Sequence, residues 1–299
     1  MPMPTPTSSS NSNFSNSPKE KPEQCIFSLP GGYILPDGTC HRLVKLRQLT
    51  GREEEMILDG EALGHDNITS SRSSSRPNNV ITLLTEVLAN CIESIGPIRE
   101  INTDVVRQLL ICDRDYLLLK LRQITFGDRI DAQVQCPNES CRKLMHIDFD
   151  IKNIQIERKN IGSGVYSVRL SPLAAFKNIK NNKDNNRNNK DTLLKHTEVQ
   201  FRLPNVADQE EIAEELYKEK RNESRALTKL LQRCLIRVGT MSQIDEDLVY
   251  SLPLLARREI DLKMQEYSPK VDLRIHAQCP HCKTEFTSPF DLQNFFLSK

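Results

Sequence analysis

Apolar residues recur along this chain with two periods, and the points where the period changes outline its elements. Leu84, Val87, Leu88, Cys91, Ile92 and Ile95 fall on one stripe of period 3.6, and Gly96 follows as a left-handed stop. This predicts an amphipathic helix ending at Gly96. A short helix is expected around Asp104 and Val106, then a third helix from an Asp113 cap through Tyr116, Leu117 and Leu119 to Leu121. The period then drops to two: Ile130 to Val134 reads as an outgoing strand and Met145 to Phe149 as its return. Later in the chain come a helix ending at Gly239, another starting near Pro253, and strands at 271–275 and 284–287.

The second series is the first displaced by 143 positions. Cys91 falls on Cys234 and Gly96 on Gly239, while Ile101, Asp104, Val106 and Leu119 meet Ile244, Asp247, Val249 and Leu262. Gln135-Cys136-Pro137 then meets Gln278-Cys279-Pro280. Chance helix patterning would not align Cys, Gly and Pro in one register over more than fifty residues. A looser echo precedes each series. Leu43 to Leu49 reads as a strand followed by a capping box of Thr50 and Glu53, and Val199 to Leu203 leads to Asp208 and Glu211 in the same sense.

The expected fold is therefore α+β. Two duplicated helical units each end in a zinc-knuckle β-hairpin, and one four-cysteine zinc-ribbon-like site joins them. Residues 1–24, rich in Pro, Ser and Asn, read as a disordered tail. The first unit spans 25–150 and contains a flexible Ser/Arg insertion at 61–79. A connecting segment covers 151–197 with an Asn/Lys-rich insertion at 177–191, and the second unit runs from 198 to 299.

Composition narrows the functional classes. The net charge of +1 offers no global field for nucleic acid or an anionic membrane. No apolar run approaches the ~18 residues of a membrane span, and the N-terminus lacks a signal-peptide core. The nine cysteines accordingly suit a reducing cytoplasm, where paired thiols point to metal before disulfide.

The chemistry concentrates in Cys136-Pro-Asn-Glu-Ser-Cys141 and Cys279-Pro-His-Cys282. Each pair supplies two thiolates from a knuckle, and a structural Zn2+ wants four at ~2.3 Å. Cys136, Cys141, Cys279 and Cys282 are the candidate ligands of one shared ion. The alternatives are two reactive dithiols, or a disulfide within each hairpin. His146, His276 and His281 lie nearby in sequence and read as solvent-facing or strand-capping. Cys91 and Cys234, on apolar stripes, read as core. A catalytic zinc would keep one position for water. No protease, hydrolase, phosphate-loop or dinucleotide motif occurs. An enzyme is not expected, and neither is a small-molecule substrate. Arg129, Arg142, Lys143, Arg274 and Lys283 flank the hairpins, but Asp128, Asp131, Glu139, Asp272 and Glu285 do so as densely. A zinc-ribbon nucleic-acid or adaptor role, the alternative class, thus has little electrostatic support.

Several runs carry a family resemblance. Leu29-Pro-Gly-Gly-Tyr33, Pro36-Asp-Gly38 and Leu46-Arg-Gln-Leu-Thr-Gly-Arg-Glu-Glu54 resemble the N-terminal signature of the baseplate hub assembly chaperones of T-even-type contractile phage tails. So do Asp113-Arg-Asp-Tyr-Leu117, Leu121-Arg-Gln-Ile-Thr-Phe-Gly-Asp128 and the Cys136–Cys141 knuckle. The likeness covers roughly 26–60, 80–150 and 198–296, and similar proteins occur in bacterial contractile injection systems. It implies a cytoplasmic, non-enzymatic helper that binds hub, baseplate or tail proteins during assembly.

Overall fold

The computed structural model describes residues 25–65, 78–174, 198–217 and 223–289. The tail 1–24, most of the Ser/Arg insertion and the Asn/Lys insertion lie outside them.

The chain opens with strands β1 (Ile26–Ile34) and β2 (Cys40–Leu46), followed by helices α1 (Gly51–His65) and α2 (Asn78–Cys91). Strand β3 (Ile92–Ile95) returns to the sheet, which is ordered β1-β2-β3 and antiparallel throughout. Helices α3 (Thr103–Arg107) and α4 (Ile111–Phe126) come next, then the hairpin β4 (Arg129–Gln135) and β5 (Leu144–Asp150). Strand β6 (Ile156–Glu157) and strand β7 (Val165–Arg169) lie in the connecting segment, and β7 pairs with β8 (Glu198–Arg202). After α5 (Val206–Tyr217) and α6 (Glu223–Cys234), β9 (Leu235–Val238) completes a second antiparallel sheet, β7-β8-β9. Helices α7 (Glu246–Ser251) and α8 (Leu254–Tyr267), strand β10 (Lys270–Val271) and the hairpin β11 (Arg274–Gln278) and β12 (Glu285–Pro289) follow. No helix among the described residues is long and apolar enough to cross a membrane.

Each sheet carries its helices over its own apolar core. The first core gathers Leu29, Val44, Val87, Leu88, Leu117, Leu118 and Leu121, and the second Val199, Phe201, Leu231, Val238, Ile260 and Met264. The two bodies touch through α5, whose Val206 N–H donates to the Leu109 carbonyl at 3.0 Å. The carboxylate of Glu210 on the same helix accepts from Arg107 at 2.8 Å and from the Thr85 hydroxyl at 3.1 Å.

Four expectations shift. The stripes that predict helices to Gly96 and Gly239 stop at Cys91 and Cys234, and Ile92–Ile95 and Leu235–Val238 turn into β3 and β9. A chain that buries residues on both sides, as Ile92, Ser94 and Ile95 do, carries no clean period. Gly96 still needs its positive φ of 52°, but for the turn after β3, where its N–H donates to the Leu43 carbonyl. Second, Asp113 does not cap α4, which begins at Ile111 after Leu110. Its buried carboxylate accepts the N–H groups of Gly31 and Gly32 at 2.7 and 2.8 Å, where the β1–β2 ladder slips between Ser28 and Tyr33. Burial outweighs those bonds and pushes Asp113 up to about 6. A Cβ on Gly31 would stand 2.7 Å from Leu110 Cδ1 and 3.0 Å from Asp113 Oδ2 and Pro269 Cγ, so a larger residue there would force those side chains to shift. Third, the strand expected at 271–275 divides. β10 pairs with β6, and β11 begins only at Arg274. Fourth, the second capping box is formed by Asn205 and Asp208, not Asp208 and Glu211. The Asp208 N–H donates to Asn205 Oδ1, and the Asn205 N–H to Asp208 Oδ2.

That last shift exposes a latch present in both bodies. Arg47 binds the fully buried Glu53 carboxylate through two nitrogens at 3.1 and 2.8 Å, and Thr50 adds its N–H at 2.9 Å and its hydroxyl at 2.7 Å. Arg202 grips the fully buried Asp208 in the same way, at 2.6 and 2.9 Å, with Arg233 adding 2.7 Å. Burial raises the Asp208 pKa, yet Arg202, Asn205 and Arg233 together hold it below its usual value. The Arg47 hydrogen bonds hold Glu53 down at about 2, against an ordinary 4.5. A carboxyl depressed by folding stabilises the protein above its unfolded pKa and loses that contribution as pH falls from about 4.5 to about 2. The share is at most about 3 kcal/mol, reduced by solvent around the partly exposed Arg47. Chemical denaturation at pH 7 and pH 3 should therefore show Glu53→Gln less stable than the parent at pH 7, with the gap narrowing at pH 3. An unchanged gap would remove the latch.

Candidate metal centre

Each hairpin turns its tip with the same backbone device. The N–H of Cys136 donates to Lys143 O and that of Cys279 to Thr284 O, both at 2.9 Å. The Cys141 and Arg142 N–H groups then close on Asn138 O, and the Lys283 N–H closes on Cys279 O. The residue after the second cysteine is left-handed in both, Arg142 at φ 45° and Lys283 at φ 61°. Among the described residues these are the two non-glycine positions with positive φ. An L side chain is strained there, so both tips hold backbone strain at the point that aims the second sulfur inward.

The tips meet. Cys136 Sγ lies 3.6 Å from Cys282 Sγ, and Cys141 Sγ lies 3.9 Å from Cys279 Sγ. All four sulfurs fall within 4.8 Å of one another. Tetrahedral coordination with ~2.3 Å zinc–sulfur bonds places sulfurs roughly 3.8 Å apart, so the donor set and spacing fit one zinc ion. All nine cysteines are free thiols, and disulfide sulfurs would stand near ~2.05 Å, so the disulfide alternative does not describe this structure. The four candidate residues are the one group of metal-binding type among the described residues. His146, His276 and His281 are exposed and outside that group, and His276 Nδ1 instead meets Thr287 Oγ1 at 3.2 Å.

Polar neighbours prepare the sulfurs unequally. Thr284 Oγ1 lies 3.2 Å from Cys282 Sγ and accepts from Asn138 Nδ2 at 3.1 Å. Asn138 comes from the opposite hairpin, so it ties the two tips together outside the sulfur cluster. Hydrogen bonding from Thr284 pulls the Cys282 thiol down to about 6. Desolvation, then the neighbouring sulfurs, push Cys136 up to about 12. Four negative sulfurs this close repel one another, and a divalent cation removes that repulsion. The sequence points to the four cysteines that cluster here but not to Asn138 and Thr284. Their one signal is position: Asn138 is two residues after Cys136 and Thr284 two after Cys282.

Cys91 and Cys234 behave as core, both fully buried, with burial raising each to about 12. Around the tips, exposed Arg142, Lys143 and Lys283 alternate with exposed Glu139 and Glu285. No single-sign surface results.

A family model described as T4 bacteriophage base plate protein matches residues 33–297, a stretch that takes in all but the start of the first sheet, both hairpins and all four clustered cysteines. The chain belongs to that base plate protein family. Comparison with curated proteins and with solved structures gave no match. In this base plate family protein the cluster joins residues more than a hundred positions apart, which sets its mechanical reach.

Elemental analysis of the purified protein should find one zinc per chain, and cobalt exchange should give a thiolate charge-transfer band. Cys279→Ser should lose the stoichiometric metal and melt well below the parent. Full zinc content in that variant would end the shared-site assignment.

Proposed function

We propose that this base plate family protein is a non-enzymatic assembly factor, a chaperone for the baseplate hub of a phage tail or phage-tail-like contractile injection system. The family match over 33–297 carries the reading. The clustered sulfurs support its non-enzymatic side. One structural Zn2+ held by Cys136, Cys141, Cys279 and Cys282 has its four positions filled by protein and leaves none to water or substrate. The protein acts by binding hub, baseplate or tail proteins, in the cytoplasm, where reducing conditions keep the thiols available.

The body is an internal duplication, with units at 25–150 and 198–299 joined by 151–197. The two sheets share one strand order, and both bodies carry the Arg–carboxylate latch. Asn102 and Asp245, 143 positions apart, cap α3 and α7 through the same third-residue N–H. Both knuckles keep the left-handed residue after the second cysteine. Zinc ties the units into one rigid frame, which presents binding surfaces at fixed separation to a partner.

Tagged full-length protein isolated from cells assembling contractile tails should bring down a hub, baseplate or tail component. It should show no salt-dependent affinity for DNA or RNA. Recovery of no tail component, or tight salt-sensitive binding to nucleic acid in its place, counts decisively against the assembly role.

A further inference from the structure

Helix α5 of the second body docks on a face of the first, and the partners of that contact recur elsewhere without each other. Val206 enters the first core fully buried, with its N–H on the Leu109 carbonyl. Gln209 Oε1 accepts from Arg114 at 2.6 Å, and the Glu210 carboxylate accepts from Arg107 and Thr85. The receiving residues are thus Thr85 on α2, Arg107 on α3, Leu109 beyond it, and Arg114 on α4.

Displaced by 143 positions, that face becomes Thr228, Tyr250, Leu252 and Arg257, with Thr, Leu and Arg unchanged. Arg114 reaches Gln209 of α5, but Arg257 folds back on its own body. Its Nη2 donates to Thr228 Oγ1 at 2.7 Å and to Ser224 O at 2.8 Å, and its buried Nε has no hydrogen-bond partner. Tyr250 is 52% exposed, and Leu254 and Leu255 just after it are exposed as well.

A matching helix exists too. Laying latch on latch, with Arg47 on Arg202, Thr50 on Asn205 and Glu53 on Asp208, sets α1 on α5. Glu54 and Glu55 then take the places of Gln209 and Glu210, Gly51 that of Val206 and Leu58 that of Ala213. On α5, Val206, Glu210 and Ala213 are buried. Their counterparts on α1 are exposed, and a Cβ on Gly51 would meet nothing within 4 Å. The two exposed carboxylates also complement Arg257 and the exposed Arg258. Within one chain, α1 belongs to the first body and the vacant face to the second, so a second copy completes both.

We propose that α1 of a second copy docks on the α6–α7–α8 face of the second body, repeating between chains the contact that α5 makes within one. Glu54 meets Arg257, released from Thr228, and Glu55 accepts from Thr228 and the Tyr250 hydroxyl. Each chain offers one surface of each kind, so the contact is head-to-tail. Association then runs on into a ring or a filament instead of stopping at a pair. The inference rests on the duplicated units and is independent of the assembly role.

Sedimentation velocity of full-length, zinc-loaded protein over a concentration series should show species growing past the dimer. Glu54→Lys with Glu55→Lys removes one surface, and Tyr250→Asp removes the other. All three side chains are exposed, so zinc content and far-UV circular dichroism should match the parent. Each variant alone should be monomeric, whereas an equimolar mixture should form a dimer and nothing larger. Glu55→Gln, which removes only the charge, should weaken association about tenfold or more. A parent that stays monomeric, a mixture that stays monomeric, or variants that associate as the parent does overturns the docking. Each of those results leaves the duplication and the binding of tail components standing.

Discussion

Four sulfurs drawn from two hairpins more than a hundred positions apart to within 4.8 Å are the contact on which the arrangement of hairpins depends. The apolar cluster around them is small, with Cys136, Met145 and Cys279 as its buried members. Burial of three such side chains contributes a few kcal/mol, at ~1.5–3 kcal/mol for each large one. Fixing two hairpin tips costs about 1–2 kcal/mol per ordered residue, so that burial alone does not hold them together. The left-handed Arg142 and Lys283 add strain on top. The proposed zinc ion supplies the missing term, since structural zinc sites bind with roughly 10–16 kcal/mol in small peptides. Asn138 reaching Thr284 fixes the approach of one tip to the other but is a single neutral hydrogen bond, worth about 1 kcal/mol.

The two bodies do not rely on the metal alone. Helix α5 of the second body inserts Glu210 between Thr85 and Arg107 of the first, and its Val206 N–H joins Leu109 across the seam. The same helix starts at the Arg202–Asp208 latch, so the residues that begin α5 also set the face it turns to the first body. Arg42 and Arg158 tie the connecting segment to β1 through backbone carbonyls of Pro30, Ser28 and Lys159. A disturbance at the Arg202–Asp208 latch therefore reaches the seam through one rigid helix.

Much of this was legible in the amino-acid order, for a physical reason. Helical stripes at 84–91, the two hairpins and the cysteine pairs involve residues whose partners are near in sequence or whose chemistry is narrow. The rest depended on distant partners. Asp113 reads as a helix cap because short carboxylates commonly cap, and only the fold brings Gly31 and Gly32 to it. Ile92 and Ile95 continue the helical spacing by coincidence, while pairing with β2 decides their conformation. Asp208 sits one turn inside its helix because Arg202, on the preceding strand, claims its carboxylate. The four-sulfur cluster was readable because thiolate pairs at knuckle spacing have few other uses. Asn138 and Thr284 were not, since polar residues beside a knuckle serve many ends.

One detour explains why two similar bodies end differently. Between α4 and β4 the chain spends two residues, Gly127 and Asp128, and the first hairpin leaves directly. Between α8 and β11 it spends six, and Lys270 and Val271 cross to pair with β6 beside α4. That crossing carries the second hairpin away from its own helix and toward the first hairpin, without which the sulfurs would not meet. It also brings Val271 and Leu273 onto the first apolar core. On α8, Leu254 and Leu262 remain exposed. Bringing the hairpins together and adding Val271 and Leu273 to the first core both follow from that change of strand partner.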